Sequence, residues 1–295
     1  MGEFQKYLCD KCGFSEFEYD SYWKEYSCKK CGWLLEDDRT ISVFNKNRKL
    51  TSPQRKTVVG FNPEDAVAHK TLGDIFYLKG SLDEAITEYR EVLRINPEDA
   101  MAHYNLGVAL ADKGLSDEAI TEYREALRIN PEDAMAHYNL GSSLHDMGLL
   151  DKAIMEYREA LRINPEDFMA HNNLGNALKS KNLLDEAITE YREALRINPE
   201  DATAHIYLGN ALSDKDLLDE AITEYRGALR INPEDATAFF NLGAALANKG
   251  LLYEAIEVFE NLINYAPPQD TGHIEKAKDI IKQLREKLIS GQGQT

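Results

Sequence analysis

The sequence reads as an all-α chain: an α-solenoid of six helix-pair repeats, closed by a C-terminal helix and preceded by a small β-rich four-cysteine module. Three observations carry it. RINPED begins at Arg94 and returns at Arg128, Arg162, Arg196 and Arg230, a spacing of 34 residues each time. Each unit holds two stretches such as AMAHYNLGVALADKG and SDEAITEYREALRI, whose apolar residues recur every three or four positions, as on one face of a helix. All four cysteines lie in two CxxC pairs near the N-terminus.

Composition narrows the function. The chain has 295 residues, 43% hydrophobic and 29% charged, with a formal charge of −17. Residues 1–60 hold 11 Lys/Arg against 9 Asp/Glu, a net of +2, which leaves −19 on the remainder. So acidic a body repels nucleic acid and anionic membrane and favours basic or neutral partners. The start, MGEFQKYLCD, lacks the apolar run of a secretory signal. Lys6 stands where a myristoylation motif after Gly2 needs Ser or Thr. No stretch is apolar for a membrane-spanning length. A cytoplasmic location without membrane insertion is the expectation.

Residues 1–38 form the first module. Cys9, Cys12, Cys28 and Cys31 follow the pattern C-x2-C-x15-C-x2-C. Each CxxC turn offers two thiolates, and the intervening residues suffice for a hairpin that brings the turns to one tetrahedral ion. Gly13 and Gly32, after the second cysteine of each pair, let backbone N–H groups turn toward the sulfurs. The segment 7–35 resembles a zinc ribbon or the rubredoxin-like knuckle pair. Zinc is the metal expected, and iron suits the same four-thiolate cage. With four protein ligands the site is closed and structural, and metal binding would supply the folding energy of so small a unit. Eight aromatic residues between Tyr7 and Trp33 either form its mini-core or present a face to a partner or a single strand.

Residues 39–65 read as a basic linker. From Thr40 to Asn62 there is no acidic residue, while Lys46, Arg48, Lys49, Arg55 and Lys56 are basic. The stretch lacks periodicity and contains Pro53, so it reads as an extended connector.

The repeats run from Ala66 in six units: 66–99, 100–133, 134–167, 168–201, 202–235 and 236–269. The eighth place is Gly73, Gly107, Gly141, Gly175, Gly209 and Gly243, where helices approach too closely for a side chain. Ala85 and its equivalents do the same on the second helix. Tyr89, Tyr123, Tyr157, Tyr191, Tyr225 and Phe259 are expected to fill the gap to the next unit, and Pro97 and its equivalents close each second helix. The fifteenth place is Gly80, Gly114, Gly148, Asn182, Asp216 and Gly250, residue types that tolerate a left-handed helix end. These places resemble the tetratricopeptide repeat, which implies a right-handed superhelix with the first helices lining a concave groove. Residues 270–290 then form a capping helix, with Ile274, Ala277, Ile281, Leu284 and Leu288 on one face. Residues 291–295 are a flexible tail.

Variation points to the working surface. DEAITEYRE recurs unchanged in units 1, 2 and 4, so the second helix looks structural. The first helix varies at places 2, 5, 6, 9, 12 and 13. Asn105, Asn139, Asn173 and Asn241 stand at place 6, each offering the donor and acceptor that a peptide backbone needs. Equivalent helices about 10 Å apart match about three residues of extended chain. The row resembles the asparagine ladder of O-GlcNAc transferases, without their catalytic domain. A second role for the same asparagines, hydrogen bonding between helices, stays open. Beside them lie Met101, Met135 and Met169 at place 2, and Tyr104, Tyr138 and Phe240 at place 5. Adaptable Met beside aromatic rings suits a peptide site, and core packing is the rival role. A carboxylate clamp does not transfer, since Asp74 and Met135 stand where it needs Asn and Lys.

His69, His103, His137, His171 and His205 recur at place 4, a full repeat apart, so they cannot share a metal and are expected to pack between helices. No phosphate-binding glycine loop and no nucleophile motif occurs, so an enzyme is not expected. The reading is an adaptor that binds an extended segment of a partner protein, with the zinc module as a second docking surface. The alternative is a nucleic-acid-associated factor that binds through the ribbon and linker while the repeats recruit protein.

Overall fold

The computed structural model describes residues 65–265 and 271–291 in full. It describes the strands β1 (Phe17–Asp20), β2 (Glu25–Cys28) and β3 (Leu34–Glu36) by their backbone. The strands pair antiparallel in the order β1-β2-β3, with Tyr19 opposite Tyr26 and Tyr26 opposite Leu35. The linker, the two chain ends and Cys9, Cys12 and Cys31 lie outside the described residues.

Thirteen helices follow among the described residues. Repeat 1 is α1 (Ala66–Leu78) and α2 (Leu82–Ile95), and repeat 2 is α3 (Ala100–Asp112) and α4 (Ser116–Ile129). Repeat 3 is α5 (Ala134–Asp146) and α6 (Leu150–Ile163), and repeat 4 is α7 (Phe168–Ser180) and α8 (Leu184–Ile197). Repeat 5 is α9 (Ala202–Asp214) and α10 (Leu218–Ile231), and repeat 6 is α11 (Ala236–Asn248) and α12 (Leu252–Tyr265). The last helix is α13 (Thr271–Ile289). The chain divides into two compact units, Met1–Ile129 and Asn130–Thr295. The first holds the strands and repeats 1 and 2. The second holds repeats 3 to 6 and α13. In each, consecutive helices pack in order, as expected of a helical solenoid.

The repeat's own residues set the helix ends. The Asp of each NPED caps a first helix: Asp167 Oδ1 accepts from Met169 N at 3.0 Å and Ala170 N at 3.1 Å, and Asp65, Asp99, Asp133, Asp201 and Asp235 do likewise. Such a cap contributes about 1 kcal/mol. At the other end, Gly80, Gly114, Gly148 and Gly250 take positive φ, as do Asn182 at 61° and Asp216 at 62°.

Packing inside a repeat corrects one expectation. The sequence assigns the place-8 glycine to a close approach of two helices, whereas the place-24 ring of the same repeat lies on it; Tyr191 also meets Tyr207 of the next repeat at 5.9 Å, as a ring filling that gap should. A Cβ built on Gly175 would stand 2.5 Å from Tyr191 Cε1, and one on Gly107 would stand 2.7 Å from Tyr123 Cε1. The glycine is therefore required by an aromatic ring, not by a second backbone. Alanines and leucines complete the core, with Ala170, Leu174, Ala177 and Leu178 all at most 1% exposed on α7. On α13, Ala277, Ile281 and Leu284 are buried, Ile274 and Leu288 half-buried, and the helix packs on α12 and α11. No helix among the described residues is long and apolar enough to cross a membrane.

Candidate functional site

The outward faces of the first and second helices differ in what their polar groups do. On the second helices the constant charges pair with one another between neighbouring repeats. Arg158 meets Glu186 at 2.7 Å, Arg192 meets Glu220 at 2.8 Å and, in the first unit, Arg90 meets Glu118 at 2.9 Å. Lys181–Asp151, Lys215–Asp185 and Lys249–Asp219 add a second ladder, from the lysine that ends a first helix to the first turn of the preceding second helix. Exposed pairs of this kind contribute little individually. They recur because each repeat carries the same charges at the same places as its neighbour. Repeat 3 departs from the pattern with Lys152, where its equivalents are Glu, and Met155, which is 69% exposed.

On the first helices, three of the four place-6 asparagines turn their N–H groups inward. Asn105 Nδ2 donates to Asp74 Oδ1 at 3.3 Å, Asn173 Nδ2 to the Tyr138 hydroxyl at 2.8 Å, and Asn241 Nδ2 to Asn210 Oδ1 at 2.9 Å. Asn139 is half-buried on α5. All four are partly exposed, so each keeps an edge toward solvent. Met101, Met135 and Met169 are 46–47% exposed and stand outside the core. The half-buried rings of Tyr104, Tyr138 and Phe240 pack on the core rings of Tyr123, Tyr157 and Phe259, with centroids 5.7–6.1 Å apart. Phe240 also meets His273 of α13 at 5.4 Å, so the capping helix closes this end of the face.

The ninth place, one of the varying places, carries a second set of polar groups in repeats 1, 3, 4 and 5: Asp74, Ser142, Asn176 and Asn210. Core tyrosines reach it from the second helix: Tyr89 donates to Asp74 at 2.8 Å, Tyr191 to Asn176 Oδ1 at 2.7 Å and Tyr225 to Asn210 Oδ1 at 2.8 Å. Burial pushes the hydroxyls of Tyr89, Tyr191 and Tyr225 well above the ordinary tyrosine value, and the Asp74 bond adds to it for Tyr89. They are donors at any physiological pH. The signal legible in the sequence is a polar residue at place 9 in the same repeat as a Tyr at place 24.

Repeats 4 and 5 exchange a ring. Asn172 stands at place 5, where repeats 2, 3 and 6 carry an aromatic, and Tyr207 of the next repeat packs on Tyr191 instead, at 5.9 Å. Asn172 is 7% exposed and donates to Asp201 at 3.0 Å, while its Oδ1 meets no donor among the described residues. Charge on this face is low: Lys179 and Asp214 neutralise each other at 2.9 Å. In the first unit the Tyr77 hydroxyl donates to Asp112 at 2.6 Å, a bond that, with burial, pushes its pKa to about 12.

The place-4 histidines pack between helices, and they also carry polar partners. Nδ1 of His103, His137, His171 and His205 lies 2.6–2.7 Å from Glu122, Glu156, Glu190 and Glu224. Their Nε2 atoms lie 3.0–3.3 Å from the carbonyls of Pro97, Pro131, Pro165 and Pro199. His69 pairs with Glu88 at 2.6 Å, both buried. Of the four cysteines, Cys28 closes β2, and no cluster of metal-binding side chains occurs among the described residues.

Family models described as TPR repeat match residues 73–114, 175–216 and 214–250, and those described as tetratricopeptide repeat match 104–168, 156–189 and 236–269. The chain belongs to the tetratricopeptide repeat family. Its tetratricopeptide repeats are similar to the crystal structure of MamA protein, 28% identical over 57% of this chain and 92% of that one, with a TM-score of 0.54. They are also similar to YrrB, described as a TPR protein with an unusual peptide-binding site, at 25% identity over 60% of this chain and 91% of that one, TM-score 0.54. PilF of Pseudomonas aeruginosa shares the fold at 20% identity and TM-score 0.61, over 72% of this chain and 96% of that one. No curated protein matches the chain.

Proposed function

We propose that this tetratricopeptide repeat protein is a non-catalytic adaptor whose first-helix face in repeats 3 to 6 holds an extended segment of a partner protein. The observation that carries the proposal is the contrast between the two helix faces. The second helices spend their charges on each other, while the first helices present partly exposed amides, half-exposed Met and aromatic edges. A likeness to a repeat protein with a described peptide-binding site supports the same reading. The low charge of the face favours an uncharged segment over an acidic tail.

Pull-down by the full chain tests it against an Asn139→Ala, Asn173→Ala, Asn241→Ala variant of unchanged helicity. Partners lost by the variant support the proposal. If every partner stays bound, the asparagine row is structural and the proposal fails.

The N-terminal module is proposed to hold zinc through Cys9, Cys12, Cys28 and Cys31 and to act as a second docking surface. The support is the cysteine spacing. Metal analysis of purified protein should find one zinc per chain, lost in Cys9→Ser; protein that folds fully without zinc or iron sinks this part. The basic run from Lys46 to Lys56 favours one rival, nucleic-acid binding. That rival requires affinity that falls steeply with salt, whereas an uncharged peptide should bind almost independently of it.

A further inference from the structure

We infer that repeats 4 to 6 present a bound peptide with a fixed amide polarity: Asn176 and Asn210 donate to its backbone carbonyls, and Asn173 and Asn241 accept from its backbone N–H groups. The inference rests on the proposed peptide-binding role and adds to it which atom of each side chain does the reading.

An Asn carboxamide has one acceptor oxygen and an NH2 group with two donors. Whichever end is held inside the protein leaves the other for a ligand. Asn176 Oδ1 is taken by the Tyr191 hydroxyl at 2.7 Å, and Asn210 Oδ1 by both the Tyr225 hydroxyl at 2.8 Å and Asn241 Nδ2 at 2.9 Å. Both Oδ1 atoms are therefore engaged inside, and both NH2 groups remain. Asn173 and Asn241 are held the other way round. Their Nδ2 atoms donate to Tyr138 and Asn210, and their Oδ1 atoms remain.

A carboxamide keeps nearly the same shape when its oxygen and nitrogen change places, so the polarity needs an independent anchor. Repeats 1 and 2 supply one for Asn176, Asn210 and Asn241, while Asn173, held by a hydroxyl that can donate or accept, is tested by substitution below. In repeat 1 Asp74 occupies the ninth place, and a carboxylate only accepts. Tyr89 must donate to it, at 2.8 Å, and Asn105 must direct Nδ2 to it, at 3.3 Å. Asn210 stands in the same relation to Tyr225 and Asn241 as Asp74 does to Tyr89 and Asn105. The arrangement of repeats 5 and 6 is that of repeats 1 and 2 with one oxygen replaced by NH2.

The spacing suits a backbone. Asn173 and Asn176 lie three residues apart on α7, neighbours on one face about 5–6 Å apart at Cβ. That is within reach of the N–H and C=O that one residue of an extended chain directs to the same side. Repeat 4 thus offers an acceptor and a donor together. Asn210 and Asn241 continue the pair on α9 and α11. With Lys179 and Asp214 paired at 2.9 Å, the matching occupant is an uncharged extended segment of a partner protein.

Two single substitutions on one helix turn separate this polarity from mere presence of amides. Asn176→Asp keeps an acceptor for the Tyr191 hydroxyl, as Asp74 does for Tyr89, but replaces the outward NH2 with oxygen. Asn173→Asp keeps an outward acceptor, and the Tyr138 hydroxyl can reverse to donate inward. The probe is a peptide selected on the full chain from a random-sequence library about twelve residues long, enough extended chain to cross three repeats. Affinity should fall about tenfold or more for Asn176→Asp and stay within about threefold for Asn173→Asp. Tyr191→Phe, which releases Asn176 without touching the ligand, should weaken binding less than Asn176→Asp. Equal losses at 173 and 176, or a larger loss at 173, overturn the polarity while leaving the peptide site standing. If no selected peptide is sensitive to any of the three substitutions, the peptide-binding role itself falls, and the polarity with it.

Discussion

Two residues at the ends of first helices show how a single side chain meets a backbone demand. Asn182 and Asp216 hold φ of 61° and 62° where four other repeats place glycine, and a left-handed conformation costs a non-glycine residue about 1 kcal/mol. Asn182→Gly is therefore expected to stabilise the protein by up to about 1 kcal/mol in chemical denaturation. The opposite outcome belongs to Gly175, beneath the Tyr191 ring. A Cβ there would stand 2.5 Å from an aromatic carbon in a fully buried layer. Gly175→Ala should cost about 1–3 kcal/mol, because a packed ring has to move. A cost no larger than that of Gly272→Ala, at a helical position where an added Cβ meets nothing within 4 Å, would show that the ring adapts freely.

Between elements, the recurring imidazole sets a dependence on pH. Each of His137, His171 and His205 lies between a carboxylate and a carbonyl, both of which only accept. A neutral ring has one N–H and can satisfy one of them; the imidazolium satisfies both. Burial works against the charge of His137 and His171, but their bonds to Glu156 and Pro131, and to Glu190 and Pro165, outweigh it, aided by Glu159 and Glu193. For His205 the Glu224 bond leads, opposed by burial and by Arg230. All three are held above the ordinary histidine value. A raised folded pKa contributes stability that is complete below the unfolded value, about 6.5, and is lost as pH rises through the folded one. The thermal midpoint should accordingly fall between about pH 6 and pH 9, a range in which ordinary carboxylates no longer titrate. His137→Gln, His171→Gln and His205→Gln together should flatten that slope. An unchanged slope would assign the dependence to other groups.

For the whole molecule, stability depends on covering the last repeat. The apolar face of α13 lies on α12, where Phe259 and Leu262 are fully buried, and His273 covers Phe240. Truncation after Tyr265 would return these surfaces to water. The second unit should then melt several degrees lower, at about 2–4 °C per kcal/mol lost for a domain of this size, and should associate more readily. Circular dichroism melting and light scattering of the truncated chain read both effects, and an unchanged midpoint would show that repeat 6 needs no cap.

The sequence alone specifies the repeat, its two helices and their ends. Place 15, the closing proline and the apolar spacing are local requirements of helix geometry, written in each unit and repeated six times. It also marked the varying first-helix face, because residues spent on packing cannot vary freely between units. It did not say which atom of an asparagine faces outward, that Tyr191 lies on its own repeat's Gly175, or that the histidines packed between helices carry a glutamate and a carbonyl. Those depend on contacts between residues 6 to 35 positions apart, and a side chain with two chemically different ends has no preference until its partner is in place. Periodicity reports which face a residue is on; only the packed helices decide what that residue has left to offer.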